Sequence, residues 1–226
     1  MEKKYKLTEE TINVNGKTLY RIEALRDFAN IKKGNKGGFI ENESNLSQSG
    51  DCWVYENAKV YGNAWVFDNA KVFEDAEVFG IAEVCGDAVV YCDAKVFGNA
   101  QVYDNAKVSG NTQVYENAKV YENAKVFEDA EVFGIAEVCG NTEIRGDAEI
   151  RGDAEIASNS DYILFKNWWS SGRHFTWTKS NNMWKVGCFY GTGEELIKKA
   201  YKDSEKSGRE YERVVKYVES ILKDNN

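Results

Sequence analysis

From Val54 onward a β-branched residue, Val or Ile, recurs at every sixth position. The series runs from Val54, Val60 and Val66 to Ile144, Ile150 and Ile156, eighteen times without a slip. Four positions after nearly every one stands a small residue, such as Ala58, Ala64, Thr112 or Ala154, preceded by Asn or Asp and often by Gly. Neither the helical period of 3.6 nor the strand period of 2 yields a strict six. A unit of one short strand plus one corner does, and three such units close a triangular coil. The pattern therefore predicts about six coils with valine inward, where a stiff, compact side chain stacks on the coils above and below. Ala or Thr fits the crowded corner, and the Asn, Asp and Gly before it are expected to supply the unusual backbone angles.

Residues 71–86, KVFEDAEVFGIAEVCG, recur unchanged as residues 125–140. The copies lie nine hexads, hence three whole coils, apart. Each residue thus returns to the same face in the same role, as expected of an internal duplication in a lattice that tolerates whole-coil additions. The V-x-G-[ND]-A-x pattern, as in VYGNAW, VFGNAQ and IRGDAE, resembles the hexapeptide repeat of left-handed parallel β-helix proteins. The left hand is implied by that resemblance, because parallel crossovers are in general right-handed. The expected fold is mainly β: a left-handed parallel β-helix of about six triangular coils over residues 40–160. A hairpin cap and loop (residues 1–39) precede it, and a small C-terminal α+β module (residues 161–226) follows.

At the N-terminus, INVNGKTLYRIEAL alternates apolar and polar residues around Asn15-Gly16, which predicts a type I′ hairpin covering the open first coil. KKGNKGGFIENESNLSQSG reads as a loop; its GNKGG lacks the remainder of a phosphate-binding motif. Past Ile156, YILFKN, HFTWTKS and MWKVGCFYG predict three strands. Thr192-Gly-Glu-Glu195 is a capping box opening a first helix over 193–204, with a second over 208–223.

The residue after each inward Val is often aromatic and should point outward. One column reads Tyr61, Phe79, Phe97, Tyr115, Phe133. Two readings fit it: rings stacked as an outer stabiliser of the ladder, or a face buried between subunits. Proteins of the resembled family are commonly trimers, so a homotrimer is expected, with these five residues at its interface.

A net charge of −8 opposes binding to duplex nucleic acid. The start of the sequence lacks the apolar segment of a signal peptide, and no stretch is long and apolar enough for a membrane span, so a cytoplasmic protein is expected. Five cysteines without a CxxC pair indicate neither a disulfide framework nor a zinc site. Cys85 and Cys139, in equivalent positions three coils apart, are too distant to bridge. Glu131, Glu137, Glu143, Glu149 and Glu155 make the last coils acidic, either as a solvated face or as a mimic of nucleic-acid charge.

Hexapeptide-repeat proteins include acyltransferases that use a histidine as general base with an acyl-coenzyme A donor. Here His174 is the single histidine and lies in the tail, so catalytic residues and a cofactor are not assigned, although acyl transfer stays as the enzyme alternative. The densest chemistry is in NWWSSGRHFTWTKS and the strand after it. Arg173, His174, Thr176, Thr178 and Lys185 offer donors and Trp177 a π-face, a combination suited to a nucleotide or other small anion. The competing reading makes the tryptophans the core of a small module.

The hairpin, hexads and tail together resemble uncharacterised β-helix proteins encoded by bacteriophages and prophages. That resemblance carries no established activity. The function expected is a non-enzymatic scaffold whose tail module binds a protein partner, such as a host protein, or a small anionic ligand. A structural virion component is a further alternative.

Overall fold

In a computed structural model, described over residues 2–169 and 172–224, the chain divides into two compact units, residues 1–161 and 162–226. The first is a parallel β-solenoid. Each hexad contributes a two-residue strand ending in the inward Val or Ile, and each strand pairs in parallel with those eighteen residues away, as Lys95-Val96 does with Glu77-Val78 and Gln113-Val114. Val54 to Ile156 and the corner alanines are fully or almost fully buried. The N–H groups flanking each strand donate one turn onward, for example Tyr61 N to Val78 O at 3.0 Å and Lys59 N to Ala76 O at 2.9 Å.

The solenoid has about seven turns rather than six. One face runs through seven parallel rungs from Ile40 to Ile150, and Leu46 bridges Val66 on another. This first turn escaped the hexad count because Leu46 and Val54 are eight residues apart, not six. The extra residues bulge outward, and side chains replace the missing ladder bonds. Asn45 Nδ2 donates to Gly62 O and Ala64 O at 3.0 and 2.8 Å. The buried Lys4 ammonium donates to Ser49 O, Gly50 O and Cys52 O at 3.3, 3.3 and 3.0 Å.

The hairpin forms as predicted, β1 (Tyr5–Val14) against β2 (Lys17–Ala24), with Asn15 and Gly16 both at positive φ. It is not a lid. β2 pairs antiparallel with β3 (Lys36–Ile40), which pairs in parallel with the next rung, so the hairpin continues one solenoid face edge-on and occupies its open hydrogen bonds. GNKGG is therefore partly strand. A Cβ on Gly38 would lie 2.5 Å from Ala58 O, so glycine is required where the chain passes into the coils.

The corners follow the expectation for Gly but not for the Asn or Asp next to the small residue. The residue at positive φ is the one directly after the aromatic position, as in Gly80, Gly98 and Gly134, and not the following Asn or Asp. Eight of these αL corners carry Glu, Asp or Cys instead of Gly: Glu56, Asp68, Glu74, Cys92, Asp104, Glu116, Glu122 and Glu128.

The second unit is a four-stranded antiparallel sheet, Tyr162–Lys166, His174–Thr178, Met183–Val186 and Phe189–Gly191, followed by α1 (Gly193–Asp203) and α2 (Glu205–Asp224). The third predicted strand is thus two, split by a turn at Gly187, whose φ is +54. Thr192 caps α1 through the capping box. Ser204, in extended backbone, ends α1, and its Oγ accepts from Ser207 N at 3.1 Å to start α2. α2 starts at Glu205, three residues before the expected Gly208, and Gly208 packs against Tyr201, where a Cβ would stand 2.2 Å from the ring. Phe175, Trp177, Trp184, Val186, Leu196, Val215 and Val218 form the core between sheet and helices.

Candidate functional site

The solenoid surface is largely paired with itself. Tyr61, Phe79, Phe97, Tyr115 and Phe133 form one continuous stack, with centroid spacings of 4.8 to 5.0 Å and near-parallel planes. The Arg151 guanidinium closes its end, 5.3 Å from the Phe133 centroid. Tyr61 and Tyr115 reach the next turn and donate to Glu77 and Glu131 at 3.0 and 3.1 Å. Unlike charges align down the faces, Lys119 with Glu137 at 2.8 Å and Lys125 with Glu143 at 2.9 Å. Two of the glutamates in the acidic columns are thus paired along the ladder. Asn99 and Asn117, and Asn105 and Asn123, bond side chain to side chain between turns. Among the described residues no cluster of His, Cys, Asp and Glu could hold a metal ion, and no helix is long and apolar enough to cross a membrane.

In the C-terminal unit the six ligand-binding candidates separate onto two faces, because side chains alternate along a strand. Phe175 and Trp177 face the helices, within the core. His174, Thr176, Thr178 and Lys185 lie on the opposite face, where Thr176 is 2 %, Thr178 4 % and Lys185 8 % exposed. Thr178 and Lys185 are engaged locally. Thr178 Oγ1 donates to Asn181 Oδ1 at 2.6 Å, Asn181 Nδ2 donates to the Tyr190 hydroxyl at 3.3 Å, and Lys185 Nζ donates to Gly187 O. Arg173 is exposed on the helix side.

Two cavities open on that side. The smaller, about 160 Å³, is lined by Arg173, Cys188, Phe189, Lys199, Asp203 and Tyr211, with Val186, Leu196 and Ala200 at its base. Its geometry follows from the sequence locally. Asn167 N donates to Arg173 O at 2.8 Å and fixes the start of the strand. The Arg173 side chain then lies across Gly187, whose missing Cβ would be 3.3 Å from Arg173 Cδ. Lys199, one turn along α1 from the buried Leu196, places its ammonium 5.6 Å from the Phe189 centroid. Burial pushes the Tyr211 phenol up from its ordinary value of 10.0, and the Arg173 charge opposes that shift. Two cations, one carboxylate and two aromatic rings thus meet at one opening.

Sequence reasoning found Arg173 here but missed Lys199, Asp203 and Tyr211. They come from the helices, and only the crossing of α1 and α2 over the sheet brings them to Arg173. Trp177 lines the larger cavity instead.

The family model described as "YdcK Beta solenoid repeat" matches residues 100–116, slightly less than one turn. No curated protein matches the sequence. The unbroken parallel ladder and the matched repeat together place residues 36–156 among the parallel β-solenoids.

Proposed function

We propose that the protein is a non-enzymatic binding scaffold in which a rigid β-solenoid carries a C-terminal module that takes a small anionic ligand. The observation that supports this reading is the convergence of Arg173 and Lys199 on one cavity beside Phe189 and Tyr211. Guanidinium and ammonium donors on an apolar floor suit a phosphate or carboxylate. Asp203 at the same opening limits the favourable charge to about one unit. A cavity of 160 Å³ is well below the roughly 300–1,000 Å³ usual for small-molecule sites. It therefore fits a small anion, or the anionic end of a larger ligand, better than a whole nucleotide.

Titration of the protein with inorganic phosphate, followed by backbone and guanidinium ¹⁵N shifts, tests this. Saturable shifts at Arg173 and Lys199, lost in an Arg173→Ala, Lys199→Ala double variant, support the site; shifts elsewhere, or none, contradict it.

The homotrimer belongs to this proposal as well. The column from Tyr61 to Phe133 already gives each ring a partner within the chain, and only its outer edges are left for a second subunit. Sedimentation at micromolar concentration decides between trimer and monomer. A phage source, with a host protein as the partner of the module, is the corresponding narrower reading.

A further inference from the structure

The larger cavity of the C-terminal unit has the opposite chemistry. It encloses about 280 Å³ and is lined by Trp177, Trp184, Val215, Val218 and Leu222, with Asn182, Thr192, Gly193, Glu194 and Glu219 around its mouth. Three observations bear on what it takes.

Glu194 and Glu219 project from different helices, are exposed, and form no ion pair or hydrogen bond with any described residue, whereas Glu195 beside the first is used in the cap of α1. The cavity wall is apolar and indole-rich. Trp177 is held in place because its Nε1 donates to Asn182 Oδ1 at 2.9 Å, and it pairs directly across the sheet with Trp184. Trp184 is 98 % buried on the sheet, yet its Nε1 has no hydrogen-bond partner among the described residues. That atom would stand 3.3 Å from a Cβ on Gly193, a residue that lines the same cavity. The ring is buried, but the N–H edge is accessible at the cavity, and an indole N–H without a protein partner there is a group that a ligand acceptor would take up.

From this we infer a second binding site, for a small organic cation: an alkylammonium group with an apolar chain. The two carboxylates at the rim attract the charge, and indole rings are the best π-faces for a cation once it is desolvated. The last turn of α2, to which Leu222 belongs, adds the negative end of a helix dipole. The α1 N-terminus acts in the other direction, but Glu194 and Glu195 stand in its first turn and offset it. A volume of 280 Å³ lies just below the range of about 300–1,000 Å³ usual for small-molecule sites, which suits an amine of modest length rather than a folded segment of a partner. An acceptor on the ligand, such as a hydroxyl or ether oxygen, would take the Trp184 N–H. This site is independent of the anion site at Arg173 and stands or falls without it.

The test uses the full chain and n-hexylammonium as probe, with n-hexanoate and n-hexanol as controls. The indole Nε1–H resonances are followed, that of Trp184 being assigned with Trp184→Phe. The expected result is a saturable shift of the Trp177 and Trp184 resonances with hexylammonium, weakened at least tenfold in a Glu194→Gln, Glu219→Gln double variant and at least tenfold weaker for hexanoate. Both glutamates are exposed, so an unchanged melting temperature checks that the double variant is folded. Equal binding of all three probes would reduce the site to an apolar hole. That outcome, no saturable shift, or an unaffected double variant would each overturn the inference.

Discussion

Glu122 Oε2 accepts a hydrogen bond from the backbone N–H of Gly140, eighteen residues further on, at 2.7 Å. Glu122 itself occupies an αL corner with φ +58, and its own N–H donates to Asp104 Oδ2 at 3.2 Å. The same contact joins Glu74 N to Glu56, Gly86 N to Asp68 and Gly146 N to Glu128. An acidic residue in a backbone conformation that normally favours glycine is thereby accounted for. Its strain, about 1–2 kcal/mol, is offset by capping the corner N–H of the next turn, which the ladder leaves unused.

Glu122→Ala should keep the αL strain and lose the cap, costing about 1 kcal/mol. Glu122→Gly loses the cap but relieves the strain and should be closer to neutral. Urea denaturation of the two variants gives the order. Gly110→Ala should be worse than either, since its Cβ would stand 2.5 Å from Glu128 O.

The exact duplication permits a test of modularity. Deleting residues 71–124 joins Ala70 to Lys125 and restores the local sequence of the first copy. The shortened chain should fold cooperatively with three fewer turns, about 14 Å shorter at strand spacing. Deleting 71–121 instead shifts the hexad phase by half a unit, turns the valines outward and should leave an insoluble or unfolded chain. Circular dichroism and thermal unfolding distinguish these outcomes.

Lys4 secures the irregular first turn. Lys4→Met keeps the apolar stem but leaves Ser49, Gly50 and Cys52 carbonyls without their donor, and should cost about 2–4 kcal/mol. The lowest-melting transition in thermal unfolding should shift accordingly. Burial is the largest influence on Lys4 and lowers its pKa from 10.5.

Acid should loosen the same end. The hydrogen bond from Lys17 holds the Glu41 carboxyl below its ordinary 4.5, with the Gly62 N–H adding to the effect and burial opposing it. A depressed folded value means that this contribution is complete above pH 4.5 and is lost as pH falls through the folded value. Stability measured from pH 6 down to pH 3 should fall less steeply in Glu41→Gln than in the parent chain.

Cysteine reactivity gives an independent check of the packing. Burial pushes the Cys85 thiol up to about 11 from 9.0, with Asp68, Glu83 and Asp104 adding to it. Its thiolate fraction at pH 8 is then about a hundredfold below that of an ordinary thiol. Iodoacetamide followed by peptide mass mapping should label the exposed Cys188 long before Cys85.

Much of the solenoid was legible because one inward residue every six is a strong constraint, and eighteen repeats leave no other period. Its first turn was not, because the two-residue bulge between Leu46 and Val54 breaks the phase, and the compensating donors, Lys4 and Asn45, lie outside the repeat. The acidic αL corners ran against backbone preference and become intelligible only with the residue eighteen places on. In the C-terminal unit the capping box at Thr192 fixed the start of α1, whereas Gly208 suggested a helix start and is instead a packing position under Tyr201. Arg173 was legible as a donor in an aromatic segment. Its separation from His174, Thr176, Thr178 and Lys185 follows from strand alternation, and its meeting with Lys199 from a helix crossing that no local pattern encodes.

The central claim, that binding belongs to the C-terminal unit and the solenoid acts as a spacer, is tested most directly by phosphate titration of three proteins: the full chain, the chain lacking residues 71–124, and Arg173→Ala, Lys199→Ala. We expect the first two to bind with the same affinity and the third at least tenfold more weakly. Loss of binding on removing the three turns, with the double variant unaffected, would contradict it.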